Sequence, residues 1–174
     1  MRRLPLIPTL AAVTAALLLN SCSSRPPQAQ IYPLGEKAVL GRIVYTVYET
    51  QWVPQFGNGP GARVPQHRFF LVRMNVVNGG SADVIVPNVT IEDDKNNSYS
   101  ELSDGDGVPD WIGYLRQVKP AESVRGNLLF DAQPAHYKLR ITDENEEKSA
   151  YVDIPLSFGV EAPPDMPVPD EKKQ

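Results

Sequence analysis

From residue 42 onward the chain is apolar at every second position over short stretches. Ile43, Tyr45 and Val47 alternate with Arg42, Val44 and Thr46, and Phe70, Val72, Met74 and Val76 form an apolar face opposite Arg73 and Asn75. Val84 and Val86 precede Pro87, Val89 and Ile91 resume the alternation, and Tyr99 with Leu102 marks a short further strand. Val124, Gly126, Leu128 and Phe130 alternate with Arg125, Asn127 and Asp131; Tyr137, Leu139 and Ile141 with Lys138, Arg140 and Thr142; Ala150, Val152 and Ile154 with Tyr151 and Asp153. A period of two puts successive side chains on opposite faces of a strand, so each run has one face to bury. Turn chemistry separates the runs. Asn78-Gly79-Gly80-Ser81 allows positive φ, Asp93 to Asn97 is a polar cluster, and Asp143 to Lys148 is a charged one. The pattern predicts an all-β, immunoglobulin-like antiparallel β-sandwich of seven to eight strands. No helical spacing occurs, and a single helical turn is expected only around Pro109 to Leu115.

The ends of the chain read differently. Met1-Arg2-Arg3 is followed by an apolar stretch from Leu4 to Leu19, interrupted by Pro5 and Pro8. A positive start and a short apolar run are the marks of an export signal rather than a membrane span. Leu19-Asn20-Ser21-Cys22 comes next. It resembles the lipobox of bacterial lipoproteins, which implies cleavage before Cys22 and lipidation of its thiol. Two or three acyl chains on one residue give stable anchoring, where one is marginal. Asn20 is a less usual residue in that motif, and the Arg2-Arg3 pair lacks the flanks of a twin-arginine signal. Ser23 is not the aspartate that typically retains lipoproteins in an inner membrane, so in a cell with two membranes the outer one is the expected address.

The domain plan is therefore a signal over 1–21, a lipid-anchored, proline-bearing spacer over 22–35, a sandwich over 36–160 and a disordered, proline-rich acidic tail over 161–174. The full chain has 174 residues, 17 of them basic and 21 acidic. Arg2 and Arg3 are the only charges before Cys22, leaving 15 basic against 21 acidic residues after it. With no basic cluster, nucleic-acid binding is excluded as an expectation. The single cysteine excludes an intrachain disulfide.

Three stretches carry a family resemblance. They are Phe69 to Gly79, a long strand ending in Asn-Gly; Val89 to Asp93 followed by a polar turn and Tyr99; and Lys119 to Asp131, a proline turn leading into Gly126-Asn127-Leu128-Leu129-Phe130. In this order they resemble a family of secreted and lipid-anchored bacterial immunoglobulin-like domains of unknown function, related to mycobacterial immunoprotective extracellular antigens. The resemblance implies the fold and an envelope location. It supplies no catalytic residue.

The residues themselves supply none either. His67 and His136 stand far apart, and there is no Gly-x-Ser-x-Gly elbow, phosphate loop or metal-spaced histidine pair. The expected protein is not an enzyme and needs no cofactor. Two loop features are candidate sites. Asp104-Gly105-Asp106-Gly107-Val108-Pro109-Asp110 looks like the calcium loops of thrombospondin-type repeats, with Asp104, Asp106 and Asp110 as ligands. Leu102 and Gly113 fall where such a loop needs oxygen donors, leaving Glu101 or Ser103 to replace them, so a solvated acidic turn is the simpler reading. The second feature is aromatic: Trp52 and Phe56 in a Pro/Gly-rich loop, and Trp111 and Tyr114 after the acidic loop. Such rings either cap the open end of the core or form a protein or glycan contact surface. The expected function is a protein-interaction or envelope-assembly module that meets an envelope protein partner through loops 51–67 and 101–117, with an ion or small-ligand binder as the alternative.

Overall fold

The computed structural model describes residues 29–157. The expected signal over 1–21, Cys22 and the tail over 161–174 lie outside the described residues, as do the last three residues of the expected sandwich.

Among the described residues eleven strands follow one another: β1 (Ile31–Tyr32), β2 (Lys37–Leu40), β3 (Ile43–Val53), β4 (Phe69–Asn78), β5 (Val84–Val86), β6 (Thr90–Asp93), β7 (Ser98–Ser100), β8 (Arg116–Val118), β9 (Ser123–Asp131), β10 (Tyr137–Thr142) and β11 (Ser149–Ile154). One sheet has the order β1-β11-β10-β6-β7, the second β2-β3-β4-β9, and β5 and β8 form a two-stranded ribbon. Inward-facing residues of both sheets share one core. Ile43, Tyr45, Val47, Phe70, Val72, Met74, Val76, Leu128 and Phe130 come from the second sheet, and Ile91, Tyr137, Leu139, Ile141, Val152 and Ile154 from the first. This is the sandwich that the alternation predicts, and its core contains the predicted apolar residues together with Tyr32, Ala38, Leu40, Val118 and Ala132. Each such side chain contributes roughly 2 kcal/mol by leaving water.

Several elements differ from the sequence expectation. β1, β2 and β8 have no counterpart in it, because runs of two to four residues carry too little alternation to read. The spacer reading of 22–35 is corrected at its end: Ile31 and Tyr32 pair in parallel with Tyr151 and Val152. The helical turn expected around Pro109 to Leu115 is absent; the one 3-10 turn among the described residues is at Gly59–Gly61. Residues 109–115 are instead held as turns and a bridge between Trp111 and Asn127.

β3 is longer than expected and contains a bulge between Val47 and Glu49. A bulge adds a residue and reverses the phase of the alternation. Before it, Ile43, Tyr45 and Val47 point inward; after it, Trp52 faces the core beside its partner Phe70. Tyr48, at the bulge, is left outside beneath the Arg125 guanidinium, 4.9 Å away.

The two sheets are clipped together at one end. Glu144, in the β10–β11 turn, accepts from Arg42 N at 3.0 Å and from Arg42 Nε at 2.8 Å, and Arg42 lies in the β2–β3 turn. These bonds hold the Glu144 carboxyl down to about 2, chiefly through the Arg42 backbone N–H and then its side chain. A depressed folded-state pKa contributes stability above the ordinary carboxylate value, and that stability is lost as pH falls toward the folded value. The melting-temperature difference between the protein and Glu144→Gln is therefore expected to be constant above pH 5, to shrink below it and to vanish near pH 2. Thermal melts across that range check it.

Candidate functional site

The end of the sandwich opposite the Arg42–Glu144 clip carries two long loops. Residues 54–68 join β3 to β4, and residues 101–115 join β7 to β8. They are built against each other on the outer face of the second sheet. Phe69, Leu71 and Leu129 form an apolar floor there because their strands place them opposite the main core. Phe56 from the first loop and Val108 from the second cover it, with Val53, Leu102 and Trp111 at its margin. Phe56 stacks on Phe69 with ring centroids 4.7 Å apart. Arg63 lies over the same Phe69 ring and donates to the carbonyls of Asp104 and Asp106, both at 2.9 Å. One guanidinium thus binds the two loops together.

The second loop also seals a sheet edge. β9 is the last strand of its sheet, and an uncovered edge invites pairing with another chain. Leu102 N donates to Leu129 O at 2.8 Å, Ile112 N to Asn127 O at 3.3 Å, and Asn127 N to Asp110 O at 2.9 Å. The Asn127 side chain adds a bond from Nδ2 to Pro109 O at 2.8 Å. The approach requires glycine at two places. A Cβ on Gly126 would stand 1.9 Å from Asp110 O, and one on Gly105 would stand 1.9 Å from the Trp111 ring. At the base of the loop, Glu101 and Arg116 form an ion pair whose side chains are 0% and 1% exposed. Arg116 Nε donates to Gly113 O at 2.7 Å. Burial lowers the Arg116 guanidinium to about 10 and raises the nearby Tyr45 phenol well above its ordinary value.

Loops 51–67 and 101–117 are brought together, although Gln51, Trp52 and Val53 belong to β3 and Arg116 and Gln117 to β8. The four aromatic residues do not form one surface. Trp52 stacks on Phe70 at 4.2 Å on the core side of the second sheet. Phe56 is 9% exposed on the opposite side of that sheet. Trp111 is half-buried against Gly105, and Tyr114 is half-buried in the stretch leading to β8. Of the two readings of these rings, inward packing accounts for Trp52 and Phe56. Trp52 lies on one face of the second sheet and Phe56 and Trp111 on the other, where Phe56 and Trp111 serve to fix the loops.

Asp104, Asp106 and Asp110 are not gathered around a common point. Asp104 Oδ1 accepts from Asp106 N at 2.9 Å, its other oxygen faces Arg63, and Asp110 Oδ2 accepts from Arg73 at 3.2 Å. Calcium needs six to eight converging oxygens, and carboxylates engaged by guanidinium groups do not fit that demand. Among the described residues, no group of three or more His, Cys, Asp or Glu side chains is placed to hold a metal ion.

Sequence reasoning missed Arg63, the Glu101–Arg116 pair and His136. Arg116 carries a faint signal: a basic residue before a buried valine, where alternation wants an apolar one. His136 bridges two carboxylates, one on a turn and one on β11. Nothing in its local sequence announces that, because its partners lie 42 and 17 residues away.

No family model matches the chain, and no curated protein matches it. Solved structures do. The yjhA protein of Bacillus subtilis aligns with a TM-score of 0.55 at 14% identity, over 71% of this chain and 98% of that one. The secreted protein MPT63 of Mycobacterium tuberculosis aligns with a TM-score of 0.53 at 14% identity, over 73% of this chain and 97% of that one. A candidate lipoprotein of Bacillus subtilis, ycdA, aligns with a TM-score of 0.52 at 15% identity, covering 69% of this chain and 38% of that one. At these identities the likeness shows the fold. Among the described residues, no helix is long and apolar enough to cross a membrane.

Proposed function

We propose that the chain is a non-enzymatic, lipid-anchored envelope protein whose sandwich holds its paired loops away from the membrane to bind an envelope protein. The observation that carries this reading is topological. The chain enters the sandwich at Ile31, opposite Tyr151 midway along β11, and β1 runs parallel to β11, away from the end clipped by Arg42 and Glu144. The paired loops occupy the opposite end, where β3 finishes and β4 begins. Ile31 is nine residues after Cys22, a reach of at most about 30 Å. A lipid on Cys22 would keep the clipped end near the bilayer and leave residues 54–68 and 101–115 facing outward. Secreted and candidate lipoprotein sandwiches among the structural neighbours support an extracytoplasmic location. Ser23 after the cysteine favours the outer membrane in a cell that has two.

The exposed part of the loops, not the buried rings, is the contact region. Val64, 69% exposed, stands between Arg63 and Pro65 at its centre. Cross-linking in intact envelopes from a photoreactive residue at Gln55 or Asp106 is expected to capture a protein. The same residue at Glu122, at the clipped end, is expected to capture lipid or nothing. Equal protein capture from both ends would refute the orientation, and Cys22→Ala that stays in the membrane fraction would refute the anchor.

A further inference from the structure

The turn between β6 and β7, residues 94–97, hangs from Asp93 at the end of β6 and is tied across to β10 and β11 through His136. His136 stands immediately before β10. Its Nδ1 is 2.9 Å from Asp94 Oδ1 on the turn, and its Nε2 is 2.8 Å from Asp153 Oδ1 on β11. Both are hydrogen-bond distances, and an ionised carboxylate only accepts. A neutral imidazole has one N–H and can satisfy one of these contacts; the imidazolium has two and satisfies both. The geometry is that of the charged ring. Beside it lies an open pocket of about 290 Å³ lined by Asp93, Asp94, Lys95, Tyr99, His136 and Tyr137, among others.

The other charged groups nearby are otherwise engaged or remote from the ring nitrogens. Asp93 accepts from Lys95 N, Asn97 N and Asn97 Nδ2 at 2.8 to 2.9 Å and so serves its own turn. Lys95 is the cation of that turn. Tyr99 and Tyr137 pack edge to face with centroids 5.7 Å apart and form the apolar wall. Lys138 follows on β10, paired with Glu92 of β6 and Asp153 of β11, and Tyr151 lies further along β11.

We infer that His136 is a proton-operated clasp: charged, it holds the 94–97 turn against β10 and β11 and fixes one wall of the pocket; neutral, it releases Asp94 and lets the turn move. Asp94 is the partner released because it sits on a turn with its side chain 68% exposed, against 42% for Asp153, which is held within a strand. The hydrogen bonds to Asp94 and then Asp153 raise the His136 pKa above its ordinary 6.5. A raised folded-state pKa contributes stability that is fully present below the unfolded value and lost as pH rises through the folded value. The clasp is therefore closed in mildly acidic surroundings and opens toward alkaline ones. This inference is independent of the proposed anchoring.

The test uses the isotopically labelled full chain in detergent micelles from pH 5 to 9. Imidazole resonances follow each histidine, with a His67→Asn variant separating the two, and amide exchange follows residues 94–97. The expected result is a His136 midpoint above 6.5 that falls in Asp94→Asn and in Asp153→Asn. Protection at 94–97, corrected for intrinsic exchange, is expected to drop at least tenfold through that midpoint. Both variants change exposed or half-exposed carboxylates, so the fold survives them. A midpoint at or below 6.5, or protection unchanged across the titration, overturns the inference.

Discussion

Arg116→Met alone is expected to destabilise the fold by about 3 to 5 kcal/mol, because it leaves Glu101 buried without its partner. Glu101 and Arg116 have almost no exposed side-chain surface, so water cannot replace the lost contact. The pair also closes the base of the 101–115 loop, and Arg116 Nε holds the Gly113 carbonyl. Its loss should therefore be felt at the paired loops before the rest of the sandwich. Replacing both residues by apolar ones of similar size should restore most of the loss, since the desolvation of two charges offsets much of what the pair contributes. Urea unfolding of the two single variants and the double variant measures this directly. A single variant within 1 kcal/mol of the wild type would show that the pair is reached by water.

Gly126→Ala is the second large effect, at about 2 to 4 kcal/mol. The added methyl would meet a backbone carbonyl, Asp110 O, rather than a flexible side-chain end, so the loop itself must lift. Lifting it breaks the bonds between Asn127 and Asp110, Ile112 and Pro109, and bares the β9 edge. The variant should be less stable and should also self-associate at concentrations where the wild type stays dispersed, because an open edge pairs with another chain. Unfolding curves and light scattering check the two effects separately.

These effects follow from contacts that sequence alone conceals. The core of β4 was legible because Phe70, Val72, Met74 and Val76 alternate without interruption, and β9, β10 and β11 read equally clearly. Trp52 was misplaced for a definite reason. The bulge at Tyr48 shifts the phase of β3, and Pro54 with the following glycines makes the strand's end resemble a loop. Val39 is 61% exposed although apolar, which blurs the pattern of β2. Arg116 is buried although charged, which blurs that of β8.

The two loops are legible in the sequence as a region; how their aromatics divide between the two faces of the second sheet is not. Burial of Phe56 depends on a floor made by Phe69, Leu71 and Leu129, residues from two strands whose outer faces ordinarily meet solvent. The extra apolar residues on those faces were the one available signal. Phe69 and Leu71 interrupt the alternation of β4 just where the loops cover it. Likewise, Asp104 and Asp110 resemble calcium ligands in isolation, and only the positions of Arg63 and Arg73 show how they are used.

As proposed above, a lipid on Cys22 would hold this sandwich at a membrane by its clipped end. The most direct measurement is the mass of the mature chain and of its N-terminal peptide, taken from protein extracted from its own envelope. The expected result is a chain beginning at Cys22, with a thioether-linked diacylglyceryl group, partitioning into detergent. A chain that keeps an unmodified Cys22, or begins beyond it, and partitions into water would contradict it.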